Sequence, residues 1–193
     1  IIKQIAEQYG ISDIPVREAL KKLNAEGLVD SIPHVGSKVA SISLQNIEDM
    51  LIVREHLDSL AAKLAAENAD DRIIASLEAY CSNMQTALTA NDVTAYQALN
   101  KKFHSCIIEA SGNQVLIKMI NDLLYSEKRM AIIFRSVFEL FPDIIRESMA
   151  DHQQMMIYFR SKNSKALAKL MYRHKKRAFD KMRRYIRENI DKK

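Results

Sequence analysis

The fold is decided by residues 15–29, which read PVREALKKLNAEGLV. Pro15 stands where a helix can begin, because its missing N–H would have no helical partner there in any case. Gly27 is of the residue type that most often ends a helix. The stretch therefore predicts a short amphipathic helix from Pro15 to about Glu26, whose inward face is made of Val16, Ala19, Leu20 and Leu23.

Short elements surround this helix. Residues 2–9 have an apolar face at helical spacing and are followed by Gly10, which predicts a first helix. Residues 28–32 and 37–42 predict two strands joined by a Pro-His-Val-Gly turn at 33–36. A helix, a turn, a second helix and a hairpin in this order predict a winged helix-turn-helix.

The rest of the chain has few turn-forming residues. After residue 36, Gly112 and Pro142 are its remaining glycine and proline, so long helices are expected. Six helices are predicted at 44–68, 71–90, 92–111, 113–137, 143–161 and 164–190, with capping residues near Ser43, Asp70, Asn91, Asn113, Asp143 and Asn163. We therefore predict a mainly α protein, with a winged helix-turn-helix at residues 1–42 and an antiparallel six-helix bundle at residues 43–193.

Composition excludes several classes of protein. No run of 18 apolar residues is present, which argues against a membrane span, and the 48% hydrophobic fraction argues against disorder. Two cysteines and no visible signal peptide favour a cytoplasmic location. The net charge of +5 is concentrated at the end of the chain: residues 1–42 are neutral, residues 43–164 carry −4 and residues 165–193 carry +9.

The stretch at residues 15–29 resembles the second half of a GntR-type winged helix-turn-helix. The bundle resembles the FCD effector-binding domain of the FadR subfamily, on landmarks that include Arg54-Glu55, Leu57, Leu60-Ala61-Ala62, Leu64-Ala65-Ala66, Phe103-His104, Ala110-Ser111-Gly112-Asn113, Asp151-His152 and His174. The resemblance implies a ligand-responsive repressor that binds pseudo-palindromic operator DNA as a homodimer. The family's usual first helix would precede Ile1, so the winged helix-turn-helix is truncated in this sequence.

The resemblance also implies a set of DNA-binding residues. Arg17 would read a guanine edge, Lys21 would contact a base or a phosphate, and the remaining members are Ser12 at the turn and His34, Ser37 and Lys38 in the wing. Without the resemblance, the basic residues could equally form a solvated face. Asp13 departs from the family pattern, which has a basic residue there, and an aspartate repels phosphate. We therefore expect an altered operator preference and weaker binding to each half-site.

Three histidines lie in the second half of the bundle. Asn100 and His104 are four residues apart on one helical face, and His152 and His174 lie on the two last helices. Each histidine taken alone could be a buried or surface residue without a ligand. The FCD resemblance implies that these four residues bind a divalent metal such as zinc or nickel. The family usually has Asp at the position of Asn100, so a weaker or more exchangeable metal is expected.

The resemblance further suggests that Arg54 lines an effector pocket, with Arg135 as a second member. A guanidinium beside a metal would favour a small carboxylate effector. Alternatively, Arg54 forms a surface ion pair with Asp58 at i,i+4 spacing. The basic residues of the last helix are expected to form a solvated face, to add nonspecific DNA affinity or to pair with the acidic middle of the chain.

Two other functions are compatible with parts of the sequence. A metal-dependent hydrolase could use the three histidines, although no His-Glu-x-x-His motif is present. An interaction scaffold that has lost DNA binding is compatible with Asp13 and with the neutral first segment. The sequence therefore predicts a regulator rather than an enzyme.

Overall fold

The computed structural model of the chain describes residues 2–25, 28–32, 35–39, 44–125 and 142–189. The predictions for His34, for Arg135 and for Ser43 as a helix cap lie outside the described residues. So do the second part of the predicted helix 113–137 and the domain boundary near residue 42, which stays a prediction.

The N-terminal part has two helices and a hairpin: α1 (Ile2–Tyr9), α2 (Asp13–Ala25), β1 (Val29–Ile32) and β2 (Gly36–Val39). The strands pair antiparallel, with Asp30 opposite Lys38 and Ser31 opposite Ser37. Gly10 takes a positive φ of 64°, as expected for the glycine that ends α1. The predicted order of helix, turn, helix and hairpin is confirmed.

Two details of α2 differ from the prediction. The helix begins at Asp13, two residues before Pro15, because a proline anywhere in the first turn removes an N–H that has no helical partner. Val16 is buried as predicted, whereas Ala19 and Leu23 are exposed. The described N-terminal core is small and consists of Ala6, Val16 and Val29.

Six helices follow in the described part of the chain. They are α3 (Leu44–Asn68), α4 (Asp71–Thr89), α5 (Val93–Ala110), α6 (Gln114–Tyr125), α7 (Pro142–Arg160) and α8 (Ser164–Asn189). Asp70, Asn113 and Asn163 each accept a hydrogen bond from a backbone N–H of the first turn that follows, as a helix cap does. Pro142 and Asp143 stand inside the first turn of α7.

The cap of α5 is Asp92 instead of the predicted Asn91. Asp92 accepts a hydrogen bond from Ala95 N at 2.8 Å. Asn91 has a positive φ of 56°, a conformation that asparagine tolerates better than most residues. Asn91 therefore makes the turn between the helices and leaves the capping to its neighbour.

The main core cluster of the bundle contains buried residues of α3, α4, α5, α7 and α8. Four alanines of α3 (Ala61, Ala62, Ala65 and Ala66) are completely buried, which allows neighbouring helices to approach closely. Most methionines of the described bundle are buried core residues, as predicted, and Cys81 is buried as well. No helix among the described residues is long and apolar enough to cross a membrane.

Ion pairs join the basic helix α8 to the acidic residues of α3. Lys175 lies 3.5 Å from Asp58, and Arg183 donates to Glu55 at 2.8 Å. Arg187 donates to Glu48 at 2.6 Å near the other end of the contact. Of the roles predicted for the basic surplus, pairing with the acidic middle segment is therefore confirmed.

Candidate metal centre and DNA-reading surface

Three histidines from three helices meet inside the bundle. His104 of α5 is 8% exposed, His152 of α7 is 0% exposed and His174 of α8 is 5% exposed. The Nε2 atom of His104 lies 3.4 Å from Nε2 of His152 and 3.2 Å from Nε2 of His174. The structure thus brings together three predicted metal ligands that are 48 and 22 residues apart in sequence.

The spacing of these nitrogens suits a metal ion. Zinc binds imidazole nitrogen at about 2.0–2.1 Å, and a tetrahedral arrangement separates two such ligand atoms by about 3.3 Å. The two measured nitrogen separations fall on either side of this value. The three side chains also form a group whose possible ligand atoms all lie within 4.8 Å of one another.

Asp151 holds His174 in the tautomer that a metal requires. Its Oδ2 atom lies 3.1 Å from Nδ1 of His174. A carboxylate only accepts hydrogen bonds, so the imidazole proton stays on Nδ1 and the Nε2 lone pair points at His104. A carboxylate behind a histidine is the usual support of a metal ligand. Arg177 and Arg173 form ion pairs with the same carboxylate.

The electrostatics keep the imidazoles neutral. Burial lowers the pKa of His104 and of His152 well below its ordinary value, and the positive charge of Lys175 lowers both further. Burial also lowers the pKa of His174, although the hydrogen bond to Asp151 opposes that effect. Neutral imidazole is the form that donates a lone pair to a metal.

Asn100 has an unsatisfied oxygen in the same region. It precedes His104 by one turn on the same face of α5. Its Oδ1 atom is buried and has no hydrogen-bond partner among the described residues. Buried polar atoms without a partner are rare and call for a missing ligand, water or ion. The three histidines therefore fit a divalent ion, and the unpartnered Asn100 Oδ1, on the same face of α5 as His104, is the candidate for a fourth ligand atom.

A buried group of charges lies next to the histidines. Arg54 binds Asp58 at 3.3 Å, with side chains that are 5% and 2% exposed. The predicted i,i+4 pair is therefore present, but it is buried instead of lying on the surface. Lys175 reaches the same carboxylate from α8, and the charges of Lys175 and Arg54 both lower the pKa of His104. Two cations thus stand close to the candidate metal centre.

The predicted DNA-binding residues that the structure describes lie at the turn before α2, on α2 and on β2. Ser12 immediately precedes α2, Arg17 and Lys21 are exposed on it, and Lys38 is exposed on β2. Ser37 is half-buried. The Ser31 N–H donates to Asn24 Oδ1 at 3.1 Å, which ties the hairpin to the end of α2.

Asp13 acts on Arg17 directly. Its Oδ2 atom lies 4.0 Å from Nη2 of Arg17, and the arginine side chain is 61% exposed. An aspartate in the first turn also suits the helix dipole. Asp13 therefore lies within ion-pair distance of the guanidinium that the sequence predicts to read a base.

Sequence reasoning missed the supporting residues of the centre. Asp151 was noted as a landmark beside His152, without its role toward His174. Lys175 was counted among basic surface residues, although its side chain is only 12% exposed. In both cases the sequence offers one signal: the residue is the direct neighbour of a predicted metal ligand, on a helix that also carries core residues.

A winged helix-turn-helix is a DNA-binding motif, and here it is followed by a helical domain with a buried polar centre. Comparison with protein families agrees. Residues 2–39 match the family "Bacterial regulatory proteins, gntR family", and residues 49–177 match the FCD domain. The chain therefore belongs to the GntR family of transcriptional regulators, in its FCD-containing branch.

Individual relatives are also regulators. The chain is 26% identical over 164 residues to the HTH-type transcriptional regulator McbR of Escherichia coli. The matched region covers 84% of this chain and 73% of the relative. It is 32% identical over 123 residues to a probable D-xylose utilization operon transcriptional repressor of Paenarthrobacter nicotinovorans, covering 62% and 53%. The solved E. coli McbR/YncC structure has the same fold, with a TM-score of 0.73, 24% identity and coverage of 98% and 87%.

Family membership decides between the regulator and the hydrolase. The relatives and the solved structures compared with this chain are transcriptional regulators. The chain is thus a DNA-binding transcriptional regulator and not an enzyme, as the sequence predicts.

Proposed function

We propose that the protein is a metal-dependent, ligand-responsive repressor that binds operator DNA as a homodimer and releases it when a small carboxylate enters the helical domain. The observation that carries this proposal is the meeting of three buried imidazoles around Nε2 of His104. Such a cluster is costly in an interior unless it binds something.

The metal would be held by the Nε2 atoms of His104, His152 and His174 and by the amide oxygen of Asn100. A divalent ion there would supply open coordination positions for a carboxylate oxygen. Arg54 and Lys175 would add positive charge beside it, and Arg54 could bind a carboxylate through two N–H groups. Zinc and nickel both suit an imidazole-rich donor set.

Repression is supported by the names of relatives. They include the D-xylose operon repressor and the HTH-type transcriptional repressor GlaR of E. coli, which is 24% identical over 175 residues. The exposure of Arg17, Lys21 and Lys38 is compatible with contacts to a major groove and to the backbone of DNA. The FadR subfamily and a cytoplasmic location remain predictions.

The homodimer is supported by an apolar face on α3 and α6. Val53 and Leu60 are exposed on α3 at a spacing of seven residues, whereas Leu57 and Leu64 beside them are half-buried against the cluster that contains Ile108, Leu116 and Ile120. Leu60 is 44% exposed, and Val115 and Met119 add exposed apolar surface on α6. A second copy with the same face would cover it around a two-fold axis.

Regulation requires that the effector bind the two conformational states differently. The helix α3 is close in sequence to the DNA-binding segment and also contributes to the proposed effector site. It carries Arg54, and it begins five residues after Val39, where the wing ends. A carboxylate that takes Arg54 from Asp58 would change a buried contact of α3. This gives the effector a route to the orientation of the DNA-binding part.

A band-shift assay on the upstream region of the protein's own operon tests the proposal. We expect retardation by the wild-type protein, and a loss of about tenfold or more in affinity for Arg17→Ala, since a good base contact is worth about 1–3 kcal/mol. Lys22→Ala, an exposed basic residue on the same helix, is the matched control. If Arg17→Ala binds like wild type, or if the wild-type protein binds no DNA, the interaction-scaffold alternative is favoured.

A further inference from the structure

An isoleucine lies exposed in the first turn of α2. The side chain of Ile14 is 71% exposed, although burial of an aliphatic side chain of this size would stabilise the protein. Single exposed aliphatic residues are common on protein surfaces. The position of Ile14 is what makes it informative, because α2 is the second helix of the helix-turn-helix, the one that enters the major groove of DNA in this motif.

Ile14 shares a face of α2 with the two residues of this helix that are predicted to contact DNA. Arg17 and Lys21 follow it by three and seven residues, so the three side chains leave the helix within about 60° of one another. Val16, the buried residue of α2, points about 160° away from Ile14. The face that carries Ile14 is therefore turned away from the N-terminal core and toward the surface that meets DNA.

The two cations of this face have acidic neighbours. Asp13 Oδ2 lies 4.0 Å from Arg17 Nη2, and Lys21 Nζ donates to Glu18 at 2.9 Å. These four charges sum to zero, so the face attracts phosphate less than a purely basic face would. An apolar contact with a base does not depend on these charges. It therefore supplies a larger share of the discrimination between sequences here than on a strongly basic helix.

The major groove offers an aliphatic side chain one apolar group on the base edges, the C5 methyl of thymine. Cytosine lacks this methyl and presents an amino group, which isoleucine cannot bind. Ile14 lies about 4.5 Å from Arg17 along the helix axis, and one base step is about 3.4 Å. A thymine in contact with Ile14 would therefore lie within about one or two base pairs of the base that Arg17 contacts.

We propose that Ile14 is a specificity-determining residue that contacts the C5 methyl of a thymine next to the base contacted by Arg17. The inference rests on operator binding through α2, as proposed above, and is independent of the metal centre. It adds a preference for T·A over C·G at one base pair of each half-site. Because 5-methylcytosine carries the same methyl, it should be accepted there better than unmodified cytosine.

The first test is a binding-site selection from a random duplex library, carried out with the full chain. We expect the wild type to select thymine at one position of each half-site, and Ile14→Ala to lose this preference while keeping the rest of the consensus. Ile157→Ala, at an exposed isoleucine on α7, is the matched control and should select the wild-type consensus. A wild-type consensus for Ile14→Ala, or a wild-type protein that selects no site, would overturn the inference.

The second test removes only the methyl group. Deoxyuridine in place of the selected thymine should weaken wild-type binding about fourfold in a band-shift titration, as expected for one buried methyl. Ile14→Ala should bind the two duplexes within about 1.5-fold of each other. The wild-type difference should be the same at low and high salt, because no charge takes part. Equal wild-type affinity for the two duplexes, or a variant as sensitive as the wild type, would show that the methyl contact is wrong.

Two further measurements separate the possible causes. Ile14→Ala should melt within about 2 °C of the wild type, since Ile14 is exposed, and a larger fall would mean that Ile14 packs inside the protein and would overturn the inference. If Arg17→Ala loses affinity while Ile14→Ala and deoxyuridine change nothing, the proposed operator binding stands and the role of Ile14 is wrong. If neither variant of α2 changes DNA binding, both proposals fail together.

Discussion

Removing His104 should abolish stabilisation by zinc. This residue is the centre of the cluster, because its Nε2 atom is within 3.4 Å of Nε2 in both His152 and His174. In His104→Ala, His152 and His174 remain, but the imidazole whose Nε2 atom lies close to both of theirs is gone. A site with two nitrogens and no third imidazole falls short of the ligand number that zinc requires.

The size of the effect follows from binding to the folded state. Zinc at about one hundred times its dissociation constant stabilises the native protein by about 2.7 kcal/mol. For a chain of this length, one kcal/mol corresponds to about 2–4 °C, so the wild type should melt about 5–10 °C higher with zinc than without it. His104→Ala should show a zinc-dependent shift below about 1 °C. Its metal-free melting temperature will itself be lower, because the variant has a cavity in the core.

The measurement is differential scanning fluorimetry of both proteins, each with a chelator and with zinc or nickel. His56→Ala is the matched control, since His56 is exposed on α3 and its ring contacts Tyr172 at 5.1 Å, outside the cluster. It should keep the full metal-dependent shift. A wild type that neither ion stabilises, or a His104→Ala protein that keeps the wild-type shift, would refute the reasoning.

Three further outcomes are expected. Asn100→Asp should tighten zinc binding about tenfold in a competition titration with a chelator, because an anionic oxygen replaces a neutral one beside the ion. An unchanged zinc affinity would place Asn100 outside the coordination sphere. Asp13→Arg should raise operator affinity several-fold or change the preferred half-site in a binding-site selection, since the carboxylate 4.0 Å from the guanidinium of Arg17 is removed. If the affinity and the preferred half-site both stay the same, Asp13 has no part in recognition. In sedimentation velocity, Leu60→Glu should be a folded monomer, whereas Ile157→Glu, at a similarly exposed aliphatic residue on α7, should remain dimeric. Dimerisation of both variants would exclude the α3 face as the dimer interface.

The sequence predicts the helices well where a side chain acts on its own neighbours. Asp70, Asn113 and Asn163 cap the helices that follow them because the capping bond spans only three residues. The prediction was wrong where two neighbouring residues could do the same task. Asn91 and Asp92 both cap helices, and the choice depends on which of them makes the turn with a positive φ.

The candidate site could be predicted only in part. The spacing of Asn100 and His104 reports one helix face, but the distances between His104, His152 and His174 depend on how three helices pack. The resemblance to the FCD domain supplied that convergence. The burial of Arg54 depends on how neighbouring helices pack, so it could not be read from residue spacing.

The helix α3 can work as a rigid lever. It is 25 residues long, and Arg54 lies ten residues from its first residue, Leu44, or about 15 Å along the axis. If the contacts at Arg54 act as the pivot, a tilt of about 5° would displace Leu44 by about 1 Å. Four completely buried alanines, from Ala61 to Ala66, hold the opposite arm. A small change at the Arg54–Asp58 ion pair beside the histidines would thereby become a larger displacement at the N-terminal end of α3, the end that follows the DNA-binding segment in the chain.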